Sequence, residues 1–215
     1  MKTKFELSDA VSLTLIVGSC ASTLAFYSRL PERFPTHFNV HGVANAWMSR
    51  PVGAFILPLA ALGTWLLVRP GAALLPPAWQ ARLKESPAAL AVAVVVGGLS
   101  SIHGLVLYAV LTKAASLGMA SNIVLGCFFI ALGLVFPRLR RNPWIGVRTP
   151  WTLSSDENWA RTHRIAGLAF TIGGGLALVA TLAGQSLIAV AFLITSAIVP
   201  SLYSFLLPGR LPPGA

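Results

Sequence analysis

The chain has 215 residues, of which 55% are hydrophobic and only 10% charged, and its formal net charge is +10. One soluble core of that size cannot bury so much apolar side chain, so the composition excludes a soluble globular domain and predicts an all-α, polytopic membrane protein. The basic excess belongs to no soluble module that could carry a duplex, which excludes direct nucleic-acid binding and makes most of the charge an anchor at one membrane face.

Apolar stretches long enough to cross the hydrocarbon, about 17 to 25 residues at about 1.5 Å per helical residue, mark the candidate spans. There are six, at 9–28, 51–68, 88–111, 118–137, 165–183 and 186–207, within a single membrane domain of residues 1–215. In the first, Val17-Gly18-Ser19-Cys20 behind Lys2 and Lys4 is a weak likeness of a lipoprotein signal. Glu6 and Asp9 interrupt the basic leader, so this span is expected to stay in the mature chain. Cys20 and Cys127 fall inside the first and fourth spans and read as small core residues, with no disulfide.

The loop at 29–50 is too polar to insert and too punctuated to be one helix. Pro31 and Pro35 favour extended geometry and Gly42 a turn, so His37, Phe38 and Asn39 should project from an extended segment. Three uses fit these residues. His37 and Asn39 could brace the loop while Phe38 and Trp47 dip into the interface. The rigid loop could instead recognise an external ligand. A metal site on His37 and His41 is the third use, although zinc wants three or four ligands and Glu32 is the one carboxylate nearby.

The third span carries His103, expected as a neutral imidazole bonded to a Ser or Thr of a neighbouring helix. Gly97, Ser101, Gly104 and Tyr108 form a small-residue stripe, and Gly173-Gly174-Gly175 a second surface for close helix approach. Apart from Asp9 at the edge of the first span, no acidic residue lies in a span, which argues against an ion pump.

The loop at 138–164 concentrates polar chemistry: Trp144, Trp151 and Trp159, with Arg148, Arg161, His163 and Arg164. Asn142-Pro143 and Thr149-Pro150 mark turns, and Gly146 permits a positive φ. Ser154 and Glu157 have capping-box spacing, so a helix should start near Ser155 and run on into the fifth span, pairing Glu157 with Arg161 and Trp159 with His163. The tryptophans suit membrane ends. Arg148 is placed to fork onto carbonyls, a carboxylate or a lipid phosphate, whereas Arg82 reads as a snorkelling cation. Gly184-Gln185 turns the chain into the last span, where Pro200 is expected to introduce a kink.

With the N-terminus inside, Lys2, Lys4, Arg69, Arg82, Lys84, Arg138, Arg140, Arg141, Arg148, Arg161, Arg164 and Arg210 are cytoplasmic, against Arg29, Arg33, Arg50 and Lys113 outside. That asymmetry places both termini and the 138–164 loop in the cytoplasm.

Asn142, Gly146, Arg148, Thr149, Pro150, Trp151, Thr152, Trp159, His163, Arg164 and Gly167 resemble the signature segment of the SdpI family, bacterial membrane proteins giving immunity to a secreted killing peptide. Pro35, His37, Phe38, Asn39, Gly42 and Trp47 are similar to the short domain of unknown function that commonly precedes it. The resemblance implies an integral protein of the bacterial cytoplasmic membrane, with no cofactor and no enzymatic activity, whose partners are a secreted toxin peptide and membrane lipids. In the best-known system the toxin-engaged protein also holds a transcriptional repressor at the inner face. Two alternatives stay open: a lipid or small-molecule transporter or sensor using Arg148 and His163, and a membrane enzyme with a metal site in the outer loop.

Overall fold

The computed structural model describes residues 5–207. Lys2, Lys4 and Arg210, three of the cations counted as cytoplasmic, lie outside the described residues. The chain runs through α1 (Leu7–Phe26), a hairpin of β1 (Arg33–Phe38) and β2 (Ala44–Ser49), α2 (Arg50–Val68), the short α3 (Pro77–Lys84), α4 (Ala88–Thr112) and α5 (Gly118–Val135). A loop then leads through the one-turn α6 (Pro150–Ser154) to α7 (Asp156–Leu182) and α8 (Ser186–Leu206). Among the described residues six helices, α1, α2, α4, α5, α7 and α8, are long and apolar enough to cross a membrane. The polytopic helical class therefore holds, and the extended segment expected at His37 to Asn39 is found for His37 and Phe38 on β1, while Asn39 begins the tip of the antiparallel hairpin.

Helices α1, α2 and α4 pack on one another, α7 packs on both α5 and α8, and α4 meets α5 to join the two lobes. Because successive spans alternate in direction, the hairpin lies at one end of the bundle. At the other end lie α3, the 139–155 loop, the start of α1 and the finish of α8.

Glycine sets the spacing of the second lobe. A Cβ on Gly174 would lie 2.6 Å from the Gly126 carbonyl oxygen, and one on Gly173 would lie 2.6 Å from the Ser196 Cβ. The expected glycine surface in the fifth span is thus used at two of its three positions, with Gly175 open. The stripe expected on α4 is not. Gly97 and Gly104 have nothing within 4 Å, and the close contact is made by Gly98 against the Phe128 ring. One residue turns a helix by about 100°, so choosing Gly97 over Gly98 moved the whole predicted face away from α5. His103 behaves as expected, buried with Nε2 2.9 Å from the Thr23 hydroxyl of α1. Pro200 sits inside α8, which runs through it as one helix.

The first lobe closes on a pair absent from the expectations. Asp9, 2% exposed, accepts from Arg69 Nε at 2.6 Å and from Nη2 at 2.6 Å, one guanidinium edge on two carboxylate oxygens. Trp65 Nε1 donates to the same carboxylate at 3.1 Å and the Glu6 backbone N–H at 2.9 Å. Arg69, assigned above to surface anchoring, is instead buried between α1 and α2. Removing one partner of such a pair strands a charge and should cost about 3–5 kcal/mol, whereas an apolar replacement of both should cost far less. Asp9→Ala is therefore expected to lower the thermal unfolding temperature in detergent sharply, and Asp9→Leu with Arg69→Met to recover most of the loss. A double variant no more stable than Asp9→Ala would show that the pair is not what holds α1 to α2.

Candidate functional site

The loop at 139–155 is built around two buried side chains, Asn142 and His163, each 0% exposed. Asn142 Oδ1 accepts from the N–H groups of Trp144 at 2.9 Å and Ile145 at 2.8 Å, while Nδ2 donates to the carbonyls of Arg140 at 2.9 Å and Ile145 at 3.2 Å. Its hydrogen-bonding capacity is filled by its own loop, so it is a structural turn former. Gly146 follows at φ +115°, and a Cβ there would lie 2.2 Å from His163 Nε2. The glycine thus serves two needs: it gives the backbone its left-handed step and leaves room for the imidazole.

That step aims the Val147 N–H at His163 Nε2, 3.1 Å away. The other ring nitrogen, Nδ1, lies 2.8 Å from the Trp159 carbonyl. A carbonyl can only accept and an amide N–H only donate, so the contacts define a neutral imidazole protonated at Nδ1. The ring also stacks on Trp159 with centroids 4.0 Å apart at 18°. Trp159 in turn donates its indole N–H to the Leu139 carbonyl at 2.8 Å. The expected i,i+4 pair of Trp159 and His163 is therefore present, inside the protein. Trp159 is 2% exposed and does not belong to an interfacial belt.

The C-terminal half of the loop is capped and latched. Thr149 caps α6, where Pro150 takes the first helical position, and exchanges bonds with Thr152, whose hydroxyl donates to the Val147 carbonyl at 2.7 Å. Thr149 Oγ1 lies 3.0 Å from Ser204 Oγ near the end of α8, and Asn158 Nδ2 donates to the Ser204 carbonyl at 3.0 Å. Trp151 packs on Phe205 at 4.0 Å between centroids. Helix α7 is capped by Ser155, which accepts from the Asn158 N–H, and not by Ser154. The preceding α6 uses Ser154 as its last residue, which moves the cap on by one. The Glu157–Arg161 pair is formed at 2.5 Å.

Two expectations about arginines change. Arg148 is exposed and donates from Nη1 to one carbonyl, that of Pro143, at 2.9 Å, and among the described residues it forks onto no carboxylate. Arg164 is exposed on α7. Arg82, read as a snorkelling cation, instead clamps the Asp156 carboxylate with two nitrogens, and Arg141 Nε reaches the same carboxylate at 2.7 Å. The hydrogen bond to Asp156 raises the Arg82 pKa above its ordinary value.

At the far end the hairpin is pinned as a lid. Asn39 Oδ1 accepts from the N–H groups of His41 and Val43, each at 3.0 Å, to form its tip. Gly42, at φ +72°, sits so close to α5 that a Cβ would lie 1.9 Å from the Gly118 nitrogen, and its carbonyl accepts from the Leu117 N–H at 3.0 Å. His37 Nδ1 lies 2.6 Å from Asn45 Oδ1, across the hairpin. Phe38 is half-buried, and Trp47 is 45% exposed with the Arg33 guanidinium 6.0 Å from its ring. Between the hairpin and the start of the α4–α5 connection is a cleft of about 460 Å3, floored by Phe38, Trp47 and Val110 and rimmed by Arg29, Arg33 and Lys113. Among the described residues no three His, Cys, Asp or Glu side chains gather.

Apart from His103 inside the bundle, the expected site residues thus fall into two groups that the fold does not bring together. A helix of twenty residues such as α1 spans about 30 Å between them. Sequence reasoning missed Asp9 and Arg69 because a carboxylate and a cation 60 positions apart give no local signal. It also missed Asn158, Thr162 and Ser204. The i,i+4 spacing of Asn158 and Thr162, bonded at 3.0 Å, could have announced them.

The geometry is that of a polytopic membrane protein with a pinned hairpin over one end and a latched polar loop across the other. Residues 138–204, holding that loop, α6, α7 and nearly all of α8, match the SdpI/YfhL protein family. Residues 14–62, from α1 through the hairpin into α2, match DUF1648, a domain of unknown function. The chain therefore carries an SdpI-family segment behind a DUF1648 segment, in the order its motifs implied. It is also 27% identical over 175 residues, 77% of each chain, to the protein named Immunity protein SdpI from Bacillus subtilis (strain 168). No solved structure matches it.

Gly146→Ala should open the loop, since the strained φ alone costs about 1–3 kcal/mol and the displaced imidazole loses its amide partner. Gly175→Ala, with nothing within 4 Å, is the control, and should leave stability unchanged or raise it by about 0.5–1 kcal/mol. Thermal unfolding of the two variants in detergent checks this, and equal behaviour would refute the role given to Gly146.

Proposed function

We propose that this chain is a non-enzymatic membrane immunity protein that protects the cell from a secreted killing peptide. The observation that carries the reading is the placement of the DUF1648 hairpin, pinned by Gly42 on Gly118 and leaving Trp47 exposed beside an apolar, cation-rimmed cleft. A rigid lid of this kind is suited to meeting a peptide at the membrane surface. The likeness along 77% of the chain to a protein named for immunity supports it.

The hairpin end faces outward in this reading, and both termini lie in the cytoplasm of a bacterial cell bounded by its cytoplasmic membrane. Nine described cations, from Arg69 to Arg164, lie at the loop end and four, Arg29, Arg33, Arg50 and Lys113, at the hairpin end, an asymmetry that favours retention of the loop end inside. Occupancy of the hairpin would reach a cytoplasmic partner such as a transcriptional repressor through the α7–α8 lobe, which meets the loop at His163 on Val147 and at Ser204 on Thr149.

Expression in a toxin-sensitive strain tests the reading. The wild-type chain should confer survival, and Trp47→Ala should weaken peptide binding by about tenfold or more, as loss of an aromatic anchor does, and weaken protection with it. Arg164→Gln, exposed at the opposite end, should bind as the wild type does. Equal protection by empty vector and wild type would overturn the immunity reading. Reporter fusions after Trp47 and after Trp151 test the orientation, which fails if the first reports inside and the second outside.

A further inference from the structure

A second cleft, of about 760 Å3, opens at the loop end between α3, the 3-10 turn at Phe136–Arg138 that closes α5, and the first turn of α7. None of the signature arginines Arg148 and Arg164 lines it. Four other arginines do: Arg82, Arg138, Arg140 and Arg141, against two acids, Glu85 and Asp156. Two acids against four arginines leave the site net positive, with the exposed Glu85 facing Arg138 and Arg140 in the balance. Asp156 is already shared by Arg82 and Arg141, so its charge is spent within the wall. Arg138 and Arg140 are exposed, and among the described residues neither has a carboxylate partner.

The wall is also ordered. Trp79 of α3 carries the Arg82 guanidinium 5.9 Å and the Arg141 guanidinium 5.6 Å from its ring. The Arg140 backbone N–H donates to Ser86 Oγ at 3.1 Å, which ties the segment bearing the two exposed arginines to the end of α3. Pro137, Leu139 and the buried Trp159 add apolar atoms to this largely polar lining. The cleft lies beside the end of α5 and the start of α7, two helices long and apolar enough to cross a membrane, which is where headgroups gather around a spanning helix.

We propose that this cleft binds the headgroup phosphate of an anionic phospholipid. The planar forks of Arg138 and Arg140 match phosphodiester oxygens, the net positive wall selects an anionic over a zwitterionic headgroup, and the apolar atoms of the lining accept the glycerol end of the acyl chains. A free phosphate offers the same oxygens with nothing for those apolar atoms. The site is independent of peptide protection: it lies at the opposite end of the molecule from the hairpin cleft and could hold lipid whether or not the chain confers immunity.

The test uses the full chain purified in detergent and titrated with phosphatidylglycerol or phosphatidylcholine, followed by native mass spectrometry and by fluorescence of the tryptophans at the cleft. Phosphatidylglycerol should bind at least tenfold more tightly than phosphatidylcholine. The double variant Arg138→Gln, Arg140→Gln should lose that preference, with its unfolding temperature kept within a few degrees of wild type, because both side chains are exposed and among the described residues neither has a carboxylate partner. Arg161→Gln, at the same end but outside the cleft, should keep it. Equal binding of the two lipids, or an unaltered preference in the double variant, would overturn the proposal. So would displacement of phosphatidylglycerol by inorganic phosphate at equal concentration, which would make the site one for a free anion. Tighter binding of an acidic peptide than of phosphatidylglycerol would assign the cleft to a protein partner and overturn it as well.

Discussion

The end of the molecule that carries the 139–155 loop depends on one imidazole. His163 has no ring nitrogen to spare, since Nδ1 is given to the Trp159 carbonyl and Nε2 receives the Val147 amide. A buried ring bonded on both sides this way fixes the loop in register with α7. The requirement propagates outward. Gly146 must lack a Cβ for the ring to approach, Asn142 must turn the chain so that residues 144–147 arrive, and Thr149 with Thr152 must stop it again at α6. The resemblance to a known family thus rests on residues that hold a backbone shape more than on residues that present reactive groups.

The loop adds a second connection between the two lobes, which also meet where α4 packs on α5. Ile145 packs both with the cluster of α1, α2 and α4 and with the one formed by α4, α5 and α7, while Trp144 rests beside Gly71 after α2. Thr149, Trp151 and Asn158 reach Ser204 and Phe205 on α8. One short segment therefore touches both lobes and the last helix. At the hairpin end, Gly42 on Gly118 ties the lid to α5, the helix that packs on α7. The two ends are thus joined through α5 and α7, whose interface is glycine-spaced at Gly126, Gly133, Gly167 and Gly174.

The spans were legible because length and hydropathy alone define them: the predicted starts at 88, 118 and 186 coincide with those of α4, α5 and α8. Turn chemistry was legible too, at Gly146, Gly42 and Gly184, where positive φ is a local demand. What could not be read was partnership. Arg69 and Arg82 look alike as cations near span ends, yet one is buried on Asp9 and the other clamps Asp156. Conversely Arg148, singled out by its motif, points outward with one carbonyl contact. Trp159 resembled an interfacial indole because residue type reports amphipathicity without saying which side the ring faces. The α4 stripe failed for a related reason, since small residues on adjacent positions leave the helical phase undetermined.

The central claim is the protonation pattern of His163, and nitrogen-15 NMR of the histidine-labelled protein in detergent at neutral pH reads it directly. The structure requires a neutral ring with its proton on Nδ1 and an unprotonated, hydrogen-bond-accepting Nε2, and this signal should be absent from His163→Asn. A His163 resonance from the Nε2-protonated tautomer, or from an imidazolium, would contradict the account, because neither can accept the Val147 amide.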